Sequence, residues 1–313
     1  MTVSVVLGGA GFIGSHLVEE LVKSGNQVHV VDDLSSGRLA NIESLLVDKS
    51  CTFHHADISE GIDLGLKRLD YVFNLASPAS PPFYMGNRIK TLRAGSFGLD
   101  NAIKLALESD ACLIHASTSE VYGDPEIHPQ RESYWGNVNP VGERSCYDES
   151  KRFAEAYCVA FEAERHLNVR MPRIFNTYGP RLSPSDGRVV SNFVYQAISG
   201  KPLTIFGDGG QTRSFCFIDD LVRGICALAR SEVCGPINLG NPNEITVLEL
   251  AHAVLEITAS ISEIHLLPLP SDDPVRRRPD ISRAKKELSW EPRISLTDGL
   301  QQTVEWFRRM ETK

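Results

Sequence analysis

Short runs of apolar and β-branched residues alternate with longer stretches of helical periodicity in the first half of the chain. This alternation predicts βαβ units, in which helices cover both faces of a parallel sheet. In the first helical stretch Val18, Leu21 and Val22 share one face, so residues 13–24 are predicted to form an amphipathic helix. The predicted strands are residues 3–7, 28–32, 51–55, 71–75, 112–117 and 169–174.

The pattern changes after Asn176, where proline and glycine separate shorter apolar segments. Helical periodicity returns at residues 219–229 and 246–257. The sequence contains no flexible Gly/Ser linker, so the chain is expected to pass between two lobes more than once. We predict an α/β fold with a doubly wound parallel sheet over residues 1–175 and a smaller C-terminal lobe mainly over residues 176–313.

The composition is that of a globular protein, with 42% hydrophobic and 23% charged residues in 313. A formal net charge of −8 argues against a nucleic-acid-binding surface. The seven cysteines are odd in number and include no C-x-x-C pair, so we expect reduced thiols and no metal site. The first apolar run leads directly into a glycine loop, and no apolar stretch approaches the roughly 20 residues of a membrane helix. These features predict cytoplasmic residence.

A glycine-rich loop, with Gly8, Gly11 and Gly14, follows the first predicted strand and opens the first helix. Amide groups and the helix dipole at such a turn can hold a pyrophosphate, because the missing side chains allow close approach. Phe12 and Ile13 in the same loop belong to this candidate site. The motif alone is equally typical of a tight strand-to-helix turn.

An acidic residue supports the cofactor interpretation of this loop. Asp32 closes the second predicted strand, 18 residues beyond Gly14. Its carboxylate can accept a hydrogen bond from an adenosine ribose hydroxyl and would repel a 2′-phosphate, which favours NAD over NADP. Asp57 and Ile58 follow the third strand, where they would either contact adenine or form a strand-end turn, and the sequence supports both interpretations equally.

Tyr147 and Lys151 are four residues apart, so on a helix both side chains project from one face. A phenol has a pKa of about 10 and becomes a general base for an alcohol if an adjacent ammonium and an oxidised nicotinamide lower that pKa. As an isolated pair, these residues are more typical of a structural role. Thr118, however, lies in a run of hydroxyl residues at the carboxyl end of a strand, where α/β sheets present ligand-binding groups.

These motifs together resemble the extended short-chain dehydrogenase/reductase superfamily and, within it, the UDP-glucuronate decarboxylase (UDP-xylose synthase) family. The resemblance implies a Rossmann-like domain that binds NAD within the first 175 residues and a smaller lobe that binds a nucleotide sugar. Members usually pair through two helices each, so a homodimer is also implied. The resemblance extends from about residue 3 to about residue 307, with further matching strings at residues 74–84, 124–130, 134–140, 173–181 and 186–192.

The family's activity implies oxidation of the sugar at C4, loss of CO₂ from the resulting β-keto acid, and re-reduction, which converts UDP-glucuronate into UDP-xylose. By resemblance Tyr147 takes the C4 hydroxyl proton with help from Thr118, while Lys151 lowers the pKa of Tyr147 and binds the nicotinamide ribose. Ser119 stands where 4,6-dehydratases have aspartate, and Glu120 stands where 4-epimerases usually have no carboxylate. These epimerases and dehydratases, and a non-catalytic NAD-binding module, are the alternatives.

The resemblance also implies that Glu120 lies near the sugar ring and Arg277 near the substrate carboxylate. By charge alone, the run 276–278 is more typical of a solvated loop. An aromatic residue beside a strand, as at Phe206, is more often part of a core. Gly95 stands where relatives often carry a larger residue, and we expect it to loosen its helix. The further substrate-binding candidates are Asn176, Arg188, Asn192 and Arg213 for the diphosphate, Thr204, Phe206 and Gln211 for the base and ribose, and Tyr84.

Overall fold

Residues 1–47, 49–268 and 276–311 are described by a computed structural model. In the first 175 residues, strands alternate with helices, and a π-helical turn at Ala94–Gly98 and a 3₁₀ turn at Ser119–Tyr122 connect some of them. The elements are β1 (Val3–Leu7), α1 (Phe12–Lys23), β2 (Gln27–Asp32), β3 (Cys51–His55), β4 (Tyr71–Asn74), α2 (Pro81–Gly86), α3 (Arg88–Arg93), α4 (Leu99–Glu108), β5 (Cys112–His115), β6 (Ser117–Thr118), α5 (Ser145–Arg165) and β7 (Val169–Ile174).

The later elements are mostly shorter, because proline and glycine interrupt this part of the chain. They are β8 (Thr177–Tyr178), α6 (Val189–Ile198), β9 (Leu203–Phe206), β10 (Thr212–Ser214), β11 (Cys216–Phe217), α7 (Ile218–Ala229), β12 (Pro236–Leu239), β13 (Glu244–Thr246), α8 (Val247–Thr258), β14 (Ile264–Leu267), β15 (Arg276–Arg277), α9 (Ser282–Leu288) and α10 (Leu296–Glu311).

The central sheet is parallel, with the strand order β3-β2-β1-β4-β5-β7-β12 and with β6 paired to β7. This order confirms the predicted doubly wound, Rossmann-like class. All six predicted strands are present, but the one predicted at residues 112–117 is divided at Ala116, beyond which the chain pairs with β7 as β6. The strand order reverses between β1 and β4, which opens a crevice at the carboxyl ends of the strands.

The predicted amphipathic helices are also present. α1 buries Leu17, Val18 and Leu21, whereas Val22 is half-buried at the edge of the same core. α8 begins one residue later than predicted, because Thr246 and Glu249 form a reciprocal capping box that ends the extended segment. The first residue of such a helix depends on side-chain caps, which the periodicity of apolar residues does not reveal.

The later half of the chain contributes to the central sheet as well as to smaller ones. β12 pairs with β7, so residues well beyond 175 belong to the central sheet, and the division at residue 175 stays a prediction. β10 pairs with β13 and, in parallel, with β15, and β9 pairs with β14. The predicted thiols are confirmed: all seven cysteines are free, and only Cys234 is exposed. Within the described ranges, none of the helices combines the length and apolar character that a membrane crossing needs.

Candidate active site

A cavity of about 650 Å³ opens at the carboxyl ends of the central strands and extends to β9, β10 and β15. Every site residue predicted from the sequence, from Gly8 to Arg277, lines this cavity. The tertiary structure therefore brings the predicted cofactor residues and the predicted substrate residues together in one space. In the described part of the chain, no cluster of three or more His, Cys, Asp or Glu side chains has the arrangement of a metal site.

The glycine loop has no room for side chains at its two ends. Gly8 has φ +77°, and a Cβ atom there would lie 2.8 Å from the main chain of Ala76. A Cβ atom on Gly14 would collide with the carbonyl oxygen of Gly8. The first turn of α1, which begins at Phe12, therefore approaches β1 closely, with its amide groups directed to the cavity end of the helix. This geometry suits a pyrophosphate.

Asp32 is held at the cavity wall by main-chain amides. Its carboxylate accepts hydrogen bonds from the amides of Ala10 at 3.0 Å and Leu34 at 2.8 Å. Burial raises the pKa of Asp32, and these two hydrogen bonds oppose that effect. A Cβ atom on Gly37 would lie 2.9 Å from both carboxylate oxygens, so the missing side chain keeps this face of Asp32 accessible. The arrangement fits a ribose hydroxyl.

Asp57 and Ile58 were predicted either to contact adenine or to form a strand-end turn, and the structure has features of both. Asp57 accepts hydrogen bonds from the amide and hydroxyl of Ser59, each at 2.8 Å, which is a strand-end turn. Ile58 is buried and packs against Gly98. Both residues also line the cavity, and the adenine contact stays a prediction.

Tyr147 and Lys151 project from α5 toward the end of β6. Tyr147 is 7% exposed and is hydrogen-bonded to Thr118. Burial raises the pKa of Tyr147 to about 12; Glu120 acts in the same direction, whereas the hydrogen bond to Thr118 opposes it. The Lys151 ammonium donates to the carbonyl of Ala116 at 2.8 Å and lies 5.9 Å from the Tyr147 ring centroid. The lowering of the Tyr147 pKa by Lys151 and a nicotinamide therefore stays a prediction.

Burial also changes the ionisation of the lysine itself, because it removes water from the ammonium. The pKa of Lys151 falls to about 8.

Gly95 lies in the π-helical turn beside α5 and allows this turn to pack against the helix that carries Tyr147 and Lys151. A Cβ atom on Gly95 would lie 2.7 Å from the Cβ atom of Ser150, so the absent side chain permits a close helix contact. The π-helical turn therefore packs closely on α5, and the loosening expected at Gly95 stays a prediction.

Glu120 lies between two guanidinium groups inside the cavity. Arg144 contacts one of its carboxylate oxygens at 2.6 Å, and Arg277 contacts the other at 3.0 Å. Arg277 also donates to the hydroxyl of Ser119 at 3.1 Å. Burial alone would raise the pKa of Glu120, but Arg277 and Arg144 outweigh burial and lower it. Glu120 is therefore a half-buried carboxylate that is paired with two cations.

The solvated-loop interpretation is wrong for Arg277, which is 2% exposed, although its neighbour Arg276 is exposed. The physical reason is strand pairing: β15 aligns Arg277 with Arg213 of β10, and this pairing directs alternate side chains to opposite sides. The core interpretation of Phe206 is also wrong, because its ring is 41% exposed and lines the cavity. The local pattern of charge and hydrophobicity does not indicate which side of a short strand faces a ligand site.

The remaining substrate candidates already have protein partners. Arg188 pairs with Asp186 at 2.8 Å, and the Asn192 amide donates to the carbonyl of Gly187 at 3.1 Å. The Gln211 amide donates to the carbonyl of Phe206 at 2.6 Å. A ligand would replace or extend these contacts. The other candidates, which also line the cavity, are Asn176, Thr204, Arg213 and Tyr84, whose ring stacks on Tyr147 at 5.1 Å.

Sequence reasoning missed two charged residues of this region, Arg144 and Asp148. Arg144 precedes α5 and lies three residues before Tyr147, a spacing that could have identified it, whereas Asp148 is the next residue after Tyr147 and has no such signal. Asp148 is 8% exposed, and its Oδ1 atom has no hydrogen-bond partner. Burial, and then the charge of Glu120, raise the pKa of Asp148 from 3.8 to about 7.

The Asp148→Asn variant is expected to change the pH dependence of stability. Between about pH 4 and about pH 7 the folded protein keeps a proton on Asp148 that the unfolded chain releases, so the free energy of unfolding of the native protein falls as pH rises through this window. The variant loses that decrease, which is on the order of 2–4 kcal/mol. Urea unfolding at the two ends of the window measures it. The Glu149→Gln variant, a change at the half-buried neighbour, is the control, and parallel curves for Asp148→Asn and the native protein would contradict the expectation.

Comparison with known proteins gives a consistent result. The sequence profile of the NAD dependent epimerase/dehydratase family matches residues 4–240. UDP-glucuronic acid decarboxylase 1 of Danio rerio is 48% identical over 305 residues, 97% of this chain and 72% of the fish protein. UDP-glucuronic acid decarboxylase 1 of Arabidopsis thaliana is 49% identical over 304 residues, 97% of this chain and 69% of the plant protein. The crystal structure of UDP-glucuronic acid 4-epimerase from Bacillus cereus, in complex with UDP-glucuronic acid and NAD, has a TM-score of 0.90 at 28% identity and covers 99% of this chain and 100% of that one.

Proposed function

The chain belongs to the NAD dependent epimerase/dehydratase family, and from this we propose that it is a UDP-glucuronate decarboxylase that forms UDP-xylose and CO₂. One observation carries the proposal: the Glu120–Arg277 pair lies in the same cavity as Thr118, Tyr147 and Lys151. The cavity therefore holds groups for alcohol oxidation beside a guanidinium that can bind a carboxylate. A binding module would need no such combination.

The residues around the glycine loop fit NAD. Gly8 and Gly14 form a cradle that Cβ atoms would fill, and Asp32 presents a carboxylate suited to a ribose diol. Lys151 would reach the nicotinamide ribose, with Phe12 and Ile13 at the pyrophosphate. When bound, NAD supplies a reversible hydride acceptor for the carbon that bears the C4 hydroxyl.

Tyr147 then acts as the base that takes the proton from the C4 hydroxyl, and its hydrogen bond with Thr118 helps to stabilise the phenolate. The C4 ketone is β to the C6 carboxylate, so the C5–C6 bond breaks and its electron pair enters an enolate as CO₂ leaves. A solvent proton then reaches C5 through a water molecule that the Glu120 carboxylate orients. Bound NADH would supply the hydride for C4, and Tyr147 would return its proton to the C4 oxygen, which completes the pentose; the net reaction consumes one proton.

Arg277 holds the C6 carboxylate in this proposal, since its guanidinium already faces a carboxylate, that of Glu120. Glu120 remains paired with Arg144 while the substrate binds. The nucleotide part would extend toward the lobe, where the guanidinium and amide groups bind the diphosphate and the groups on β9 surround the base and ribose. These residues are Asn176, Arg188, Asn192 and Arg213, then Thr204, Phe206 and Gln211, with Tyr84 beside the sugar.

The product of the reaction tests the proposal. Incubation of the protein with UDP-glucuronate and NAD is expected to release CO₂ and form UDP-xylose without net reduction of NAD, as measured by mass spectrometry and NADH absorbance. A 4-keto pentose that accumulates with NADH would identify an oxidative decarboxylase instead. UDP-galacturonate without CO₂ would identify an epimerase, and an unchanged substrate would leave a binding module.

We also propose a homodimer, formed through an apolar face on α3, the π-helical turn and α5. α3 and the π-helical turn pack beside α5, and both segments expose large apolar side chains. On α5 the exposed Phe153 ring stacks on Tyr157 at 5.2 Å. Large exposed apolar surfaces on a helix pair are typical of an interface between subunits. The face comprises Ile89, Leu92, Phe97, Phe153 and Val159.

The Phe153→Asp variant is expected to be a monomer, because the pairing face would bury a carboxylate without a partner. Light scattering across a dilution series would measure the mass of the native protein and of the variant. The Ile261→Asp variant changes a fully exposed apolar residue outside this face and should leave the mass unchanged. A native protein that is monomeric throughout the series would overturn the dimer.

Cytoplasmic residence also stays a proposal, and free thiols are typical of such a reducing compartment.

A further inference from the structure

Glu120 and Arg277 belong to distant parts of the chain, yet buried polar side chains connect the segments that carry them. Glu120 lies in the turn Ser119–Tyr122, and Arg277 lies in β15. We propose that Tyr122, Asn238 and Gln130, which we name the register network, are positioning residues that hold Arg277 against Glu120 and thereby set the affinity for the sugar carboxylate. The inference rests on the proposed function.

Tyr122 connects the Glu120 turn to the network. It is the last residue of that turn, and its side chain is fully buried. Its hydroxyl donates to Oδ1 of Asn238 at 2.7 Å and accepts from the Arg173 guanidinium at 2.9 Å. Burial raises the pKa of Tyr122 to about 12, so the phenol keeps the proton that it donates. The position of the turn is thus fixed from behind the cavity.

Asn238 is the central residue of the network. It is fully buried in β12, and its Nδ2 atom donates to the carbonyls of Gln130 and Asp280, both at 3.0 Å. Asp280 follows Arg277 by three residues. The Tyr122 donor and the two carbonyl acceptors together determine which way the amide is oriented. Loss of the Tyr122 hydroxyl would remove that constraint and leave Oδ1 without its donor.

Gln130 fixes the segment directly after Arg277. Its main chain pairs with Arg278 and Asp280 at 2.9 and 2.8 Å, and its Oε1 atom accepts from the Arg278 amide at 2.8 Å. The glutamine is fully buried, so these groups cannot exchange their partners for water. The residue next to Arg277 is therefore held by both a main-chain and a side-chain contact.

The register network acts through Arg277 and not on the ligand. Among the described residues that line the cavity, Tyr122, Asn238 and Gln130 do not occur. The guanidinium of Arg277, in contrast, is positioned inside the cavity by contacts with Glu120 and with the carbonyl of Gly123 at 2.9 Å. A change in the network should therefore affect the part of the ligand that Arg277 contacts, the carboxylate, and leave the nucleotide unaffected.

The test compares two adjacent tyrosines whose rings stack at 6.1 Å. The Tyr122→Phe variant removes a hydroxyl within the network, and the Tyr134→Phe variant removes one that only accepts from the amide of Glu126. Calorimetric titration of the NAD-loaded protein would give Kd for UDP-glucuronate and for UDP. We expect Tyr122→Phe to weaken UDP-glucuronate binding about fivefold or more and to leave UDP binding unchanged. Tyr134→Phe should change neither.

A double-mutant cycle with Arg277→Lys separates positioning from general destabilisation. If Tyr122 acts through Arg277, Tyr122→Phe should add little to the loss caused by Arg277→Lys. An unchanged Kd for UDP-glucuronate, an equal loss for UDP, or additive effects would each overturn the proposal. If Tyr122→Phe does not fold, the same comparison of Kd for UDP-glucuronate and for UDP is made with Gln130→Met. Since the readout is binding, a native protein that releases no CO₂ would refute the proposed function without deciding this inference.

Discussion

The Tyr147→Phe variant is expected to lose about 10²- to 10⁴-fold in kcat while it still binds NAD and UDP. The substitution removes only the phenolic oxygen, and the remaining ring can still stack on Tyr84. Without that oxygen the C4 hydroxyl has no base, because Lys151 donates to the carbonyl of Ala116 and directs no acceptor to the sugar. Single-turnover measurements of NADH and CO₂ would locate the loss at the oxidation step.

Tyr157→Phe is the matched control for this experiment. Tyr157 lies on the same helix, and its hydroxyl donates to Asp100 at 2.9 Å, away from the cavity. Its removal should leave kcat unchanged. If Tyr147→Phe retains nearly full kcat, or if Tyr157→Phe loses as much, Tyr147 is not the base.

The Arg277→Met variant is expected to lose about 10²- to 10³-fold in kcat/KM for UDP-glucuronate, mainly through KM. Removal of one partner of a buried ion pair costs about 3–5 kcal/mol, and each 1.4 kcal/mol corresponds to a tenfold change. Glu120 would keep Arg144 as its cation, but the sugar carboxylate would face Glu120 without a guanidinium between them. Part of the cost should therefore appear as a lower melting temperature and part as weaker binding of the uronic acid.

Arg276→Met provides the control, since it changes the adjacent, exposed residue of the same strand. The kcat/KM and melting temperature of this variant should match those of the native protein. Steady-state kinetics with UDP-glucuronate, together with Kd for UDP, distinguish the outcomes. If Arg277→Met keeps a native-like kcat/KM, Arg277 does not bind the substrate carboxylate. If the variant binds UDP as much more weakly as it binds UDP-glucuronate, the role of Arg277 is structural.

Local sequence patterns were sufficient to predict a structural feature where the interacting residues are close in sequence. The turn from β1 to α1 depends on Gly8 and Gly14 themselves, because Cβ atoms there would collide with the main chain. The pair Tyr147 and Lys151 follows from helix geometry alone. In both cases the interaction partners are close in sequence, so the spacing of residue types carries the structural information.

Local patterns failed where the partner is remote in sequence. Arg277 has the charge pattern of a solvated loop, but its partner Glu120 lies more than 150 residues earlier, which no window around residue 277 includes. Phe206 has the character of a core residue, but β9 leaves its ring at the cavity. Asp148 acquires its raised pKa from burial and from Glu120, and neither follows from the helix in which it lies.

The residue pattern was sufficient to predict the alternation of strands and helices in the first 175 residues, the glycine turn, and the groups available for acid–base chemistry, since each depends on short-range geometry and side-chain volume. Which of these groups share a cavity, which charges are paired, and how β15 meets the turn after β6 became known from the tertiary structure. Those outcomes depend on parallel pairing and burial between distant segments, and burial changes both the partners of a charge and its pKa.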